Sequence, residues 1–292
     1  MSATILSGSE LAKEMRQEIE TEVTEFVKQY GFTPTVAVVR AGEDPASISY
    51  SNALEKSFGA RGLGFQLHAL PDTASQEEIV KLVAMLNNDA TIHGIMIQEP
   101  LPKGIDEAVI KDALSPDKDV DGVHPVNTGR LAQAAPVGRP AMVGPFFVPA
   151  TPSGGMEILK RNKLDLTGKH AVVVGRSTIV GKPMALLLLR ENTTVSLSHS
   201  QTADLPGMCR AADILCIAVG RAKMIKGDWI KPGAVVIDFG VNFVDGVIVG
   251  DVDFEEAKEV AGMITPVPGG TGPMTNIMLM KNVIAAARRQ AA

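Results

Sequence analysis

The sequence predicts an α/β protein of two domains, the C-terminal one a doubly wound parallel sheet. Three observations carry that expectation. Short β-branched runs alternate with segments of 3.6-residue apolar period, the pattern of a parallel sheet covered on both faces. A stretch without period, rich in proline, glycine and alanine, interrupts the alternation at residues 131–152 and reads as a linker. The length of 292 residues suits two ordinary domains better than one core. A (β/α)8 barrel is the competing architecture, and an interruption of this kind disfavours it.

Each element has its own signal. Leu11, Met15, Ile19, Val23, Phe26 and Val27 recur at helical spacing and mark an N-terminal helix. "TVAVVR" (35–40) reads as a buried strand, followed by a helix that carries Tyr50 near its start. "GFQLHAL" (64–70) is a second strand, and "SQEEIVKLVAMLNN" a helix opened by a capping box, Ser75 with Glu78. "IHGIMIQ" (92–98) is a third strand, ended by Pro100 and Pro102. Beyond the linker, "TPSGGMEILKRN" is helical. Strands are expected at "HAVVVG" (170–175), "TTVSLS" (193–198), "ADILCIAV" (212–219), "AVVIDF" (234–239) and "GMIT" (262–265). An amphipathic helix over 274–289 closes the chain, and no internal repeat is evident.

Composition removes several function classes. Hydrophobic content of 45% with 21% charged residues is that of a soluble globular protein. The net charge of −5 leaves no basic footprint for nucleic acid. The N-terminus lacks a basic segment followed by an apolar one, so it is not read as a signal peptide. The longest aliphatic run, Ala185–Leu189 after Met184, is too short to span a bilayer, and a cytoplasmic location is the default. Cys209 and Cys216 match no metal or redox spacing and read as small buried hydrophobes; no metal site is expected.

"VVVGRSTIVGKPMALLLL" is the most explicit segment. A β-branched strand ends at Gly175, a short turn follows, and a helix begins near Gly181. In this geometry a helix N-terminus receives a phosphate. The glycine spacing departs from G-x-G-x-x-G, and an ordinary βα turn also uses glycines, so the pattern alone is only moderately specific. The next strand sharpens it. An NAD site places Asp or Glu at that strand's end to hold the ribose hydroxyls. Here the strand ends in Ser198, His199 and Ser200, with no carboxylate before Asp204, and Arg176 follows the first glycine. A guanidinium with neutral donors suits a 2′-phosphate, so NADP is the expected cofactor.

With these residues in view, "DKDVDGVHPVNTGRL" (117–131), "GRSTIVGKP" (175–183), "IKGDWIKPGAVVIDFGVN" (225–242) and "ITPVPGGTGPMT" (264–275) resemble the FolD family. Its members are bifunctional methylenetetrahydrofolate dehydrogenases and methenyltetrahydrofolate cyclohydrolases. The similarity runs in order along essentially the whole chain. It implies two α/β domains flanking a cleft that holds tetrahydrofolate derivatives, the C-terminal one of Rossmann type, in a homodimer. Residues 1–148, completed by a returning helix 273–292, would form the folate-binding catalytic domain, and 149–272 the NADP domain. The family's Y-x-x-x-K helix lays a tyrosine over the folate; Tyr50 matches it. Gln98 matches the glutamine contacting the reacting region, Asp121 the aspartate holding the pterin, and Pro268, Gly269 and Gly270 the loop closing over the folate. The candidate cofactor residues are Gly175, Arg176, Ser177, Ile179, Val180, Gly181, His199, Ser200 and Gly220.

The departures matter as much. Leu54 occupies the family's lysine position. At about 100° per residue, position 54 lies about 40° from Tyr50 around the helix and Lys56 about 120° away, so Lys56 does not substitute and reads as a solvated lysine. Glu99 replaces an apolar residue, Thr271 a small aliphatic one and Ala150 a cysteine, and the linker before Ala150 is longer than typical. Glu99 reads as a solvent-facing carboxylate rather than a replacement acid or base. Hydride transfer needs orientation, but hydrolysis of the methenyl product needs a proton-transferring group, which leucine lacks. The expectation is a folate dehydrogenase with a weakened or lost hydrolase. The alternatives are a non-catalytic folate- or NADP-binding protein and a dehydrogenase for a related pterin.

Overall fold

The computed structural model describes residues 2–141 and 143–291. Its elements run β1 (Thr4–Ile5), α1 (Gly8–Tyr30), β2 (Thr35–Ala41), α2 (Pro45–Gly59), β3 (Gly64–Leu70), α3 (Gln76–Asn88) and β4 (Gly94–Ile97). Three helices follow, α4 (Glu107–Ala113), α5 (Pro125–Gln133) and α6 (Ala150–Arg161). Then come β5 (His170–Val174), α7 (Gly181–Arg190), β6 (Thr194–Ser198), α8 (Leu205–Arg210), β7 (Ile214–Ile217) and β8 (Val235–Asp238). A hairpin, β9 (Asn242–Val244) and β10 (Val247–Val249), precedes α9 (Phe254–Ala257), β11 (Met263–Ile264) and α10 (Thr271–Ala291).

The chain divides into two compact units. One comprises residues 1–13, 130–144 and 151–275; the other comprises 14–129, 145–150 and 276–292. The first holds a six-stranded sheet in the order β1-β11-β8-β7-β5-β6, parallel throughout. Val172, Val174, Leu215, Ile217, Val236 and Ile264 share one core, while Ala171, Val173, Cys216 and Ile237 of the same strands are buried as well. A sheet buried on both faces is what the near-continuous β-branched runs require. The second unit holds a parallel sheet in the order β3-β2-β4. Ala37, Val39, Ile95 and Ile97 pack there with Ile79, Val83 and Leu86 of α3. Two open sheets replace the barrel alternative.

Local chemistry explains the boundaries. The α3 capping box forms as expected, with the Ser75 amide donating to Glu78 Oε2 at 2.8 Å and the Glu78 amide to Ser75 Oγ at 3.2 Å. Helix α2 starts earlier than expected. Asp44 caps it, accepting from the Ser47 amide at 2.8 Å, and Pro45 supplies its first turn, so Tyr50 lies more than a turn inside. Its Ser47, Ser51, Leu54 and Phe58 form the buried stripe. Burial of Leu54 and Phe58 contributes roughly 1.5–3 kcal/mol each.

The expected linker is shorter than 131–152. Helix α5 runs to Gln133 and α6 begins at Ala150, and the described residues between them lie outside helices and strands. Helix α4, capped by Asp106, and the strand pair β9–β10 were not expected. The hairpin turn is Asp245-Gly246, both at positive φ (50° and 78°), a dipeptide that favours this turn.

Candidate active site and cofactor cleft

Gly175 ends β5 at φ +125°, where a side chain would strike the Ala218 carbonyl. A Cβ at Gly181 would strike the carbonyl of Gly175, so both glycines are needed for the turn to close this tightly. Ser177 Oγ finishes the turn by accepting from the amides of Val180 and Gly181 at 3.1 and 3.3 Å. Those two amides, expected to face a phosphate, are satisfied inside the loop. Ser177 thus shapes the turn, and Ile179, 38% exposed, lies on its outer side.

Strand order reverses between β5 and β7, since β6 follows β5 on one side and β7 lies on the other. Ligands bind open α/β sheets at the carboxyl ends of strands at such a point. A cleft of about 390 Å³ opens there, lined among others by Gly175, Arg176, His199, Ser200, Val219 and Arg221. The structure thus gathers four of the expected cofactor residues and sets Gly220 between two more lining residues. Arg221 adds a second guanidinium that no sequence motif announced. Asp204, the first carboxylate after β6, caps α8 by accepting from the Gly207 amide at 2.9 Å. That carboxylate is engaged in a cap.

The second unit brings Tyr50, Gln98 and Asp121 together. Gln98 is buried (4% exposed), and its amide donates to the Ser47 carbonyl at 2.7 Å, one turn before Tyr50. Gln98 Oε1 is buried and has no partner among the described residues, which leaves an acceptor open. The Tyr50 hydroxyl donates to Asn276 Oδ1 at 3.3 Å. Burial, reinforced by the Asp121 charge, holds the phenol well above its ordinary range. Burial also pushes the Asp121 carboxyl up to about 7, with Asp119 and Glu99 adding to the shift; the Ala150 amide and Lys111 oppose it. Asp119 is held by the amides of Val123 and His124 and by Asn127 Nδ2, at 3.1, 2.8 and 2.8 Å.

Pro268, Gly269 and Gly270 belong to the first unit, where they line a cavity of about 560 Å³ with Ser9, Gly240 and Thr271. Gly269 takes φ +101° and its carbonyl accepts from the Ser9 amide at 2.9 Å.

Comparison with known proteins decides the family. Residues 6–121 match the model of the tetrahydrofolate dehydrogenase/cyclohydrolase catalytic domain, and residues 149–291 that of its NAD(P)-binding domain. The chain belongs to the tetrahydrofolate dehydrogenase/cyclohydrolase family. It is 49% identical over 293 residues to the bifunctional protein FolD of Roseiflexus sp. (strain RS-1), covering 100% of this chain and 99% of that one. A crystal structure of the bifunctional enzyme FolD from Campylobacter jejuni superposes with TM-score 0.93 at 38% identity, covering 99% of each chain. The Trypanosoma brucei FolD structure, complexed with NADP cofactor and inhibitor, gives TM-score 0.92 at 36% identity over 99% of this chain and 98% of that one.

The surroundings of Tyr50 follow from the burial of α2 in this member of the family. Leu54 is fully buried, whereas Lys56 is exposed on the outer side of α2. Glu99 is exposed, as expected of a solvent-facing carboxylate, and its Oε1 also lies 2.7 Å from Lys111 Nζ, which meets Glu107 Oε2 at 3.2 Å. Sequence reasoning missed Lys111, since its pairing with Glu99 joins β4's end to α4. Cys209 and Cys216 are buried, and burial pushes their thiols up to about 11 and about 12. They are inert packing groups.

Proposed function

We propose that this protein oxidises 5,10-methylenetetrahydrofolate to 5,10-methenyltetrahydrofolate with NADP in one-carbon metabolism, and hydrolyses the methenyl product poorly. The observation that carries the reading is the group of Tyr50, Gln98 and Asp121, with a buried acceptor on Gln98 left open. Tyr50 offers a ring face to the folate, and Asp121, when ionised, accepts from the pterin's N–H donors. Gln98 Oε1 faces the reacting region, and Pro268–Gly270 serve as the loop over the substrate. NADP supplies the hydride acceptor when bound. Arg176, His199 and Ser200 hold its 2′-phosphate, on a strand end that presents no competing carboxylate. Residues 1–148 with 273–292 act as the folate domain and 149–272 as the NADP domain in this reading, with residues 1–13 and 130–144 packed into the compact unit of the second.

Loss of hydride from the methylene carbon leaves a methenyl cation and requires no proton transfer by the protein. Hydrolysis does require one, and Leu54 supplies none. The protein works as a cytoplasmic homodimer in this reading. Among the described residues no helix is long and apolar enough to cross a membrane.

Separate assays of the two steps test the proposal. NADPH should form from methylenetetrahydrofolate and NADP, while added methenyltetrahydrofolate should persist. Hydrolysis should fall about 10²–10⁴-fold below that of a family member with the lysine. Absence of NADPH formation overturns the dehydrogenase reading. Rapid hydrolysis by the unmodified protein overturns the argument from Leu54.

A further inference from the structure

Asp251 lies at the centre of a polar cluster beside the cofactor cleft, and neither the family motifs above nor the cleft lining includes it. It is completely buried. Its Oδ2 accepts from the amides of Val219 and Gly220 at 2.7 and 2.9 Å. Its Oδ1 accepts from the Arg221 amide at 2.8 Å and from Asn242 Nδ2 at 2.9 Å. Three consecutive amides converge on one carboxylate because Gly220 turns the chain at φ +63°. Val219 and Arg221 are also lining residues of the cofactor cleft.

We propose that Asp251 is a positioning residue for the dinucleotide, fixing the Val219–Arg221 segment so that Arg221 presents its guanidinium on the cleft that holds Arg176. The inference rests on the reading of that cleft as the NADP site. Two features show that the carboxylate is itself held in place. Asp238 accepts from the amides of Asp251 and Val252 at 3.2 and 2.9 Å, which pins the backbone carrying Asp251. Gly240 leaves the space the carboxylate fills, since a Cβ there would overlap it. The clamp also ties the cleft to the β9–β10 hairpin through Asn242.

A neutral amide of the same shape tests the role. In Asp251→Asn one oxygen acceptor becomes an NH₂ donor that faces backbone N–H groups, so the segment loses bonds without losing volume. The Michaelis constant for NADP should rise on the order of tenfold. That for methylenetetrahydrofolate should stay within about twofold, and kcat should change little. Asn242→Ala removes a single donor from the half-buried start of the hairpin and should raise the NADP constant by a smaller factor, with faster amide exchange at Val219–Arg221.

If Asp251→Asn does not fold, Asn242→Ala decides the matter alone. Unchanged NADP constants in the folded variants, with NADP binding intact in the unmodified protein, overturn the inference and leave the cofactor reading standing. A parallel loss for both substrates assigns Asp251 a purely structural role and overturns it too. Failure of the unmodified protein to bind NADP overturns the cofactor reading and the inference together.

Discussion

Burial raises the Asp121 carboxyl to about 7, and the charges beside it set where it titrates. If the ionised form accepts the pterin's donors as proposed, kcat/KM for the folate should rise with pH through about 7. Lys111→Met removes the cation that opposes the shift and should move the midpoint up. Glu99→Gln removes an anion that adds to it and should move the midpoint down. A pH–rate series on the two variants checks the opposed directions, and a common direction refutes the electrostatic account. Stability has the reverse dependence. The folded pKa lies above the unfolded value of about 3.9, so between about pH 4 and 7 the folded state holds a proton that the unfolded chain has released. The contribution of Asp121 to stability therefore falls as pH rises through that window. Asp121→Asn should abolish folate turnover yet raise Tm by a few degrees near pH 8, with the gain shrinking toward about pH 4. Asp238, also raised to about 7, remains in both proteins and cancels in the comparison. Scanning calorimetry at several pH values measures the difference.

Among the elements, β6 and the turn after β5 were largely legible in the chain itself. A strand that ends Ser198-His199-Ser200 carries its lack of a carboxylate in the sequence, and the glycines at 175 and 181 announce a tight turn. Unreadable were the uses of the flanking groups, Ser177 closing the turn and Asp204 capping α8, because each depends on where an adjacent loop folds. Arg176→Ala should weaken NADP on the order of 10- to 100-fold, the value of one charge-assisted bond, and barely affect NAD. Kinetics with both cofactors check this, and equal losses would place Arg176 away from the 2′-phosphate. Helix α2 shows the same division. Its presence was legible, but it starts earlier than expected because Asp44 caps it and Pro45 opens its first turn.

At the scale of the whole molecule, the β9–β10 hairpin exposes Val241 (59%), Phe243 (70%) and Val247 (60%). An apolar strand pair left in water is a liability that a second copy of the chain would cover. If the proposed homodimer forms through this face, Phe243→Lys should shift it to monomer in sedimentation while leaving the far-UV spectrum intact, because the ring is 70% exposed in its own chain. A monomeric unmodified protein, or a variant that stays dimeric, would remove the hairpin from the interface. By itself the sequence determined the alternation of strands and helices, the α3 cap, the glycine turn, and the order of motifs that marks the family. These are local regularities, imposed by backbone geometry and by the period with which a buried face recurs. Only the tertiary structure decided that β1 edges the six-stranded sheet beside β11, that Leu54 is wholly enclosed, and that Lys111 neutralises Glu99. It alone brought Asp251 to amides some thirty residues earlier in the chain. Each of these depends on which distant groups are desolvated together, and a carboxylate's charge, partners and pKa follow from that company rather than from its neighbours in sequence.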